Sequence, residues 1–252
     1  MSRGLWMADE PAGLVWQDGR MFTTARTLRA AVGAACALVL AAGCSSDDGD
    51  GDAPDAGLVT VTTMRGAFLQ PAEIGPSWSA PQESAAPTRL VSFCGGTTAP
   101  PEIPPGAEVV SSNAADEGEK GAQTLQQSAL VYADAASAEA GQSLLRAVAD
   151  QCVAKVDVPA TVTADRNEPA YTETVEIREL DEGGWSGFVI VRHKLYDAEH
   201  PGTADTAVAV LRTRNVVLVD SYAVYRLDNS SPSPSFDADW QRLIGSVVQR
   251  VS

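Results

Sequence analysis

The sequence predicts an α+β fold for residues 58–252: one domain with a mainly antiparallel sheet of about five strands and helices packed on it. Three observations lead there. Four β-rich segments succeed one another between Tyr171 and Tyr225 with short connections, the arrangement that favours antiparallel neighbours. Two further segments carry apolar residues at helical spacing. The composition, 44% hydrophobic and 20% charged, is that of a folded chain.

The elements follow in order. Thr62 or Thr63 is placed to cap a short helix running to Phe68-Leu69. Pro71-Ala72-Glu73-Ile74-Gly75 reads as one more helical turn, with proline just inside its start and glycine just past its end. Residues 95–122, rich in Gly, Pro, Ser and acid, read mainly as loop. Leu125, Gln127, Ala129 and Val131 alternate with Gln126, Ser128, Leu130 and Tyr132, which predicts a strand. Asp134 or Ser137 then caps a helix with Gly141, Leu145, Val148 and Cys152 along one face. Tyr171, Val175 and Ile177 set the parity of the next strand, and Gly183-Gly184 marks a turn. Phe188 to Tyr196 is a long strand. Ala207–Arg212 and Val216–Tyr225 form a hairpin across Thr213-Arg214-Asn215. Trp240, Leu243, Ile244, Val247, Val248 and Val251 follow i, i+3, i+4, i+7, i+8 and i+11, so the chain ends in an amphipathic helix capped by Ser235 or Asp237.

Residues 1–43 read as an N-terminal extension and a lipoprotein signal peptide. Arg26 and Arg29 precede a small apolar run, Ala30 to Ala42, of 13 residues. A membrane-spanning helix needs about 20, so the run suits a signal peptide. Leu40-Ala41-Ala42-Gly43-Cys44 then resembles a bacterial lipobox, with cleavage before Cys44 and attachment of diacylglycerol, palmitate being a typical acyl chain, to its sulfur. The leucine stands one position earlier than that motif prefers. Residues 1–20 precede the basic flank, so translation is expected to begin at Met21, which N-terminal sequencing would test. Residues 44–57 are the lipidated cysteine and an acidic tether, SSDDGDGDAPDAG, without a large apolar residue. Asp48, Asp50 and Asp52 have the spacing of a calcium loop, but Ala53 and Val59 stand where that loop needs glycine and glutamate.

Charge narrows the partners. The chain holds 18 basic and 33 acidic residues, a formal net charge of -15. That balance opposes nucleic acid and gives no polybasic attraction to anionic lipid. Membrane attachment is therefore expected through the anchor at Cys44. Beyond Cys44 and Cys36, which lies inside the apolar run, Cys94 and Cys152 remain. Export predicts that they form a disulfide; two buried thiols are the alternative.

The residues offer few chemical signatures. Walker A, S-x-x-K, G-x-S-x-G and H-E-x-x-H patterns are absent from the sequence, and no cofactor or metal motif is expected. His193 shares strand parity with Val189, Val191 and Leu195; it reads as a core-edge histidine or as a ligand or base. His200 precedes Pro201 in a loop. Glu117 with Glu119, and Asp181 with Glu182, read as solvated charge, with glycoside chemistry as the sharper alternative. Arg192, Lys194 and Tyr196 share a strand face, and Arg212 and Arg214 add charge across the hairpin. These residues mark either an anion-binding site or a solvated face balanced by acids.

Several of these features together resemble a family. The lipobox, the tether, Leu69-Gln70-Pro71 with Ile74-Gly75, Cys94, the strand and helix ending at Cys152, Arg214-Asn215-Val216-Val217 and the last helix resemble actinobacterial lipoproteins with a PknH-like sensor domain. That is the extracellular domain carried by some mycobacterial serine/threonine kinases. The resemblance covers about residues 58–252. It implies an extracytoplasmic α+β domain with a groove for an unidentified ligand. Two departures stand out. There is one candidate bridge where kinase sensor domains usually have two, and there is no kinase domain or spanning helix. The reading is therefore a non-enzymatic lipoprotein on the extracytoplasmic face of the cell membrane, binding a ligand or an envelope partner. The alternatives are a cell-wall hydrolase or transferase and a lipid carrier with an apolar cavity.

Overall fold

The computed structural model describes residues 57–81, 87–96, 98–118, 121–162, 167–227 and 235–251. Cys44 and the segments read as signal peptide and tether lie outside the described residues, apart from Gly57. Helix α1 (Val61–Ala67) and the single turn α2 (Pro71–Ile74) come first. Strands β1 (Glu108–Gly118) and β2 (Gly121–Val131) follow, then helix α3 (Ala135–Ala149). Next are β3 (Lys155–Val158), β4 (Thr161–Val162) and β5 (Asn167–Glu168). The long strands β6 (Tyr171–Glu182), β7 (Trp185–Tyr196), β8 (Thr203–Thr213) and β9 (Val216–Arg226) precede the last helix, α4 (Phe236–Gln249).

Seven strands form one antiparallel sheet in the order β1-β2-β9-β8-β7-β6-β3, and β4 pairs with β5 apart from it. The expected count of about five was low. Glu108–Gly118 is a strand, not loop: polar residues interrupt the apolar ones on both faces, and pairing along all of β2 supplies the backbone bonds that its composition does not announce. The short edge strand β3 has too few residues to show a period.

Each face of the sheet is covered. On one face α1 and α4 bury Met64, Phe68, Trp240, Leu243, Ile244, Val247 and Val248 against Leu125, Val189, Val191, Leu211 and Leu218. On the other, α3 and the segment around Leu90 and Phe93 pack on Leu130, Phe188, Ile190, Val208, Val210, Val217 and Val219. Thus β8 and β9 at the centre are buried on both sides. Gly141 brings α3 close to the sheet; a Cβ there would lie 2.1 Å from the Tyr132 hydroxyl.

Caps fix the helix ends. Thr60, rather than Thr62 or Thr63, caps α1 by accepting from the Thr63 amide at 3.1 Å. Asp134 caps α3, accepting from the Ser137 amide at 2.6 Å. The β8–β9 turn is two residues, Arg214-Asn215, with Arg214 at φ 47°. Asn215 is buried. Its Oδ1 accepts from the Val59 amide at 2.7 Å, and its Nδ2 donates to the Val59 and Tyr132 carbonyls. Arg214 donates to the carbonyls of Gly57 and Val251. One tight turn therefore pins both ends of the domain.

Candidate functional site

The sulfurs of Cys94 and Cys152 are bonded, with Cα atoms 5.0 Å apart. The expected disulfide is present. It ties the segment after Phe93 to the end of α3 and lays that segment over β6 and β7. There, past the stretch of β7 that α3 covers, Arg192, Lys194 and Tyr196 succeed one another on one face. Glu173 is the cross-strand partner of Lys194, and Tyr171 that of Tyr196.

Each cation has a neighbour of opposite charge. Arg192 Nε lies 3.5 Å from Oε1 of Glu173, whose side chain is 0% exposed, and Nη1 donates to the Cys94 carbonyl at 3.0 Å. Among the described residues the Glu173 oxygens have no hydrogen-bond donor, so Arg192 is the charge that holds this carboxylate in the interior. Gly95 makes the room: a Cβ would lie 1.8 Å from Glu173 Oε2. Lys194 Nζ is 3.3 Å from Glu168 and 4.1 Å from the centroid of the Tyr171 ring, a cation–π contact. Burial pulls the ammonium toward its neutral form. Tyr196, Glu168, Tyr171 and Glu173 outweigh that and hold its pKa above the usual lysine value.

Tyr171 and Tyr196 meet edge to face at 5.6 Å. Beyond them, at the ends of β3, β6 and β7, a cavity of about 460 Å³ opens. Val158, Pro159, Leu195 and the two tyrosines line it, and Asp157 and Asp197 stand in its wall. Burial raises the Tyr196 phenol above its usual pKa. The His200 side chain, with the His200 and Glu199 amides, lowers that of Asp197. Such a cavity offers apolar walls, phenolic edges and carboxylates to a small amphipathic molecule.

The other residues singled out in the sequence are dispersed. Arg212 shares the face, but it sits six register positions along the sheet, roughly 20 Å away. There it bonds to Gln142 at 3.2 Å and lies 4.0 Å from Glu139. Arg214 serves the turn. His193 faces the α4 side: its Nδ1 is 2.7 Å from Oδ1 of the buried Asp205, and its ring meets Phe236 edge on. Asp181, Glu182 and Glu117 are exposed, and Glu119 lies outside the described residues. His200 bonds to Asp197 beside the cavity. Sequence reasoning missed Glu173, Asp205 and Asp220. Glu173 has the parity of Tyr171, Val175 and Ile177, and that was the available signal. Among the described residues no cluster of His, Cys, Asp or Glu has the makings of a metal site, and no helix is long and apolar enough to cross a membrane.

The class these observations define is an α+β domain with a helix-covered antiparallel sheet, one disulfide and an open cavity at the strand ends. No family model and no curated protein matches the chain. Among solved structures, the chain is similar to the crystal structure of the extracellular domain of PknH from Mycobacterium tuberculosis. The match has 13% identity and a TM-score of 0.49, covering 77% of this chain and 97% of that one.

Proposed function

We propose that this chain is a non-enzymatic, extracytoplasmic binding module, sensor-like in character, held to the cell membrane by a lipid on Cys44. Its ligand is a small amphipathic molecule seated beside Tyr171 and Tyr196. One observation carries the reading: the only expected ligand-binding residues that come together, Arg192, Lys194 and Tyr196, end at a cavity of about 460 Å³ with mainly apolar walls. The buried Glu173–Arg192 pair and the Cys94–Cys152 bond supply a stiff frame for it, as a preorganised site requires. The bond and the lipobox both accord with export. The apolar walls also favour a second reading, carriage of a lipid.

Native mass spectrometry of the full chain, purified from its own envelope, tests the proposal. A retained small molecule is expected, and Tyr196→Ala should release it. An acyl chain longer than the cavity would favour carriage. Finding no adduct in any preparation, or the same adduct in Tyr196→Ala, would overturn the assigned site. Metabolic labelling with a fatty acid tests the anchor separately: label should be lost in Cys44→Ser, and a wild-type chain without label refutes lipidation.

A further inference from the structure

A second cavity lies at the opposite margin of the sheet, on the face that packs against α3. It measures about 200 Å³, is open to solvent, and is lined by β1, β2, Val219 of β9 and the segment 87–91. Four side chains make its floor. Ser111 faces Ser128, and Asn113 faces Gln126, as direct cross-strand partners. They present two hydroxyls and two carboxamides, and among the described residues none of the four is bonded to another protein group. Each of these groups both donates and accepts. Pro87, Leu90 and Val91 form an apolar wall above them. The lining contains no carboxylate, although the chain carries 33 acids. Its one cation, Arg89, is engaged by the Pro100 carbonyl and Glu102.

The geometry points to a binding site for one neutral saccharide ring, its hydroxyls on Ser111, Asn113, Gln126 and Ser128 and its C–H face on the Pro87–Val91 wall. Three features select that chemistry. A vicinal hydroxyl donates and accepts at once, which a row of serine hydroxyls and carboxamides matches and a row of fixed charges does not. The volume, about 200 Å³, is enough to seat a single ring. The four free groups are side chains on the sheet face, whereas a peptide would be read through backbone groups along the outer edge of β1.

The site is separate from the Tyr171–Tyr196 cavity, so the two stand or fall independently. Saturation-transfer difference NMR on the full chain, with glucose, N-acetylglucosamine and maltose as probes, is the test. Transfer to at least one sugar is expected. Asn113→Ala or Gln126→Ala, each removing neutral hydrogen bonds, should weaken binding about three- to tenfold. Ser128→Leu should fill the cavity and abolish the signal, while Tyr196→Ala leaves it unchanged. Unaltered tryptophan fluorescence shows that each variant is folded. No transfer to any of the three sugars, transfer that survives Ser128→Leu, or an equal response to glycylglycine would overturn the assignment.

Discussion

Asp220 offers the sharpest test of the interior. It stands in the middle of β9, facing Gln127 on β2 and Ala209 on β8, beneath the layer of α1 and α4. Gln127 Nε2 donates to its Oδ2 at 2.9 Å, and Gln127 Oε1 accepts from the Leu69 amide at 2.9 Å. Burial pushes the Asp220 carboxyl up from 3.8 to about 7, and the Gln127 bond only partly opposes this. The folded state therefore takes up a proton that the unfolded chain has lost above pH 3.8. Stability is full below that value, falls as pH rises, and levels off above about 7. Three units at about 1.4 kcal/mol each give roughly 4 kcal/mol in all, about 3 of it between pH 5 and 8. Asp220→Asn keeps the shape and the acceptor for Gln127 and removes the titration. Urea unfolding of both proteins from pH 5 to 8, followed by tryptophan fluorescence, should show the wild type losing about 3 kcal/mol relative to the variant. The comparison cancels every other titrating group. Parallel stability curves would refute the argument, because they would mean that Asp220 is ionised or solvated in the fold.

Further expectations rest on single contacts. His193 should titrate above its ordinary 6.5, chiefly because Asp205 accepts its hydrogen bond, and Asp205→Asn should bring the NMR midpoint down. The sign follows: the stability linked to His193 is complete below 6.5 and is lost as pH rises through the folded midpoint. Gly95→Ala forces a methyl onto the Glu173 carboxylate and should cost on the order of 1–3 kcal/mol, read as a fall of roughly 2–10 °C in Tm. An unchanged Tm would mean that Glu173 does not lie under Gly95. Removing both Cys94 and Cys152 opens a loop spanning 58 residues and should lower unfolding stability by about 4 kcal/mol in the chain-entropy model. A loss below about 1 kcal/mol would show that the unfolded chain gains little freedom from the change.

The legible parts of this fold are those where burial differs between faces or ends. The face of α4 follows from Trp240, Leu243, Ile244, Val247 and Val248, all of which are buried. The parities of β2 and β6 follow from one mainly apolar side each, and the β8–β9 turn from Thr213-Arg214-Asn215. Strand β1 escaped because its alternate positions, Ser111 and Asn113, face a polar cavity rather than a core. The Tyr196 end of the candidate site was legible as a strand face bearing two cations. The acid that neutralises Arg192 was not, because Glu173 sits in a run, ETVEIRELDE, whose other acids are exposed.

Buried polar residues answer a problem that the apolar ones create. Strands β8 and β9 are buried on both faces, so sliding either by one residue exchanges one apolar side chain for another, and burial alone discriminates weakly between registers. Three devices break the tie. The Arg214-Asn215 turn fixes β8 against β9, because Asn215 meets Val59 and Tyr132 only in that alignment. Gln127 and Asp220 are direct partners across β2 and β9, as are His193 and Asp205 across β7 and β8. A slip at either pair would leave a buried carboxylate facing hydrocarbon, which costs far more than a misplaced methyl. An acid in the middle of an unbroken apolar strand, as in VVLVDSYAV, is thus a register mark. In this chain that mark lies beneath the helices that close one face, with the Ser111–Ser128 cavity on the other.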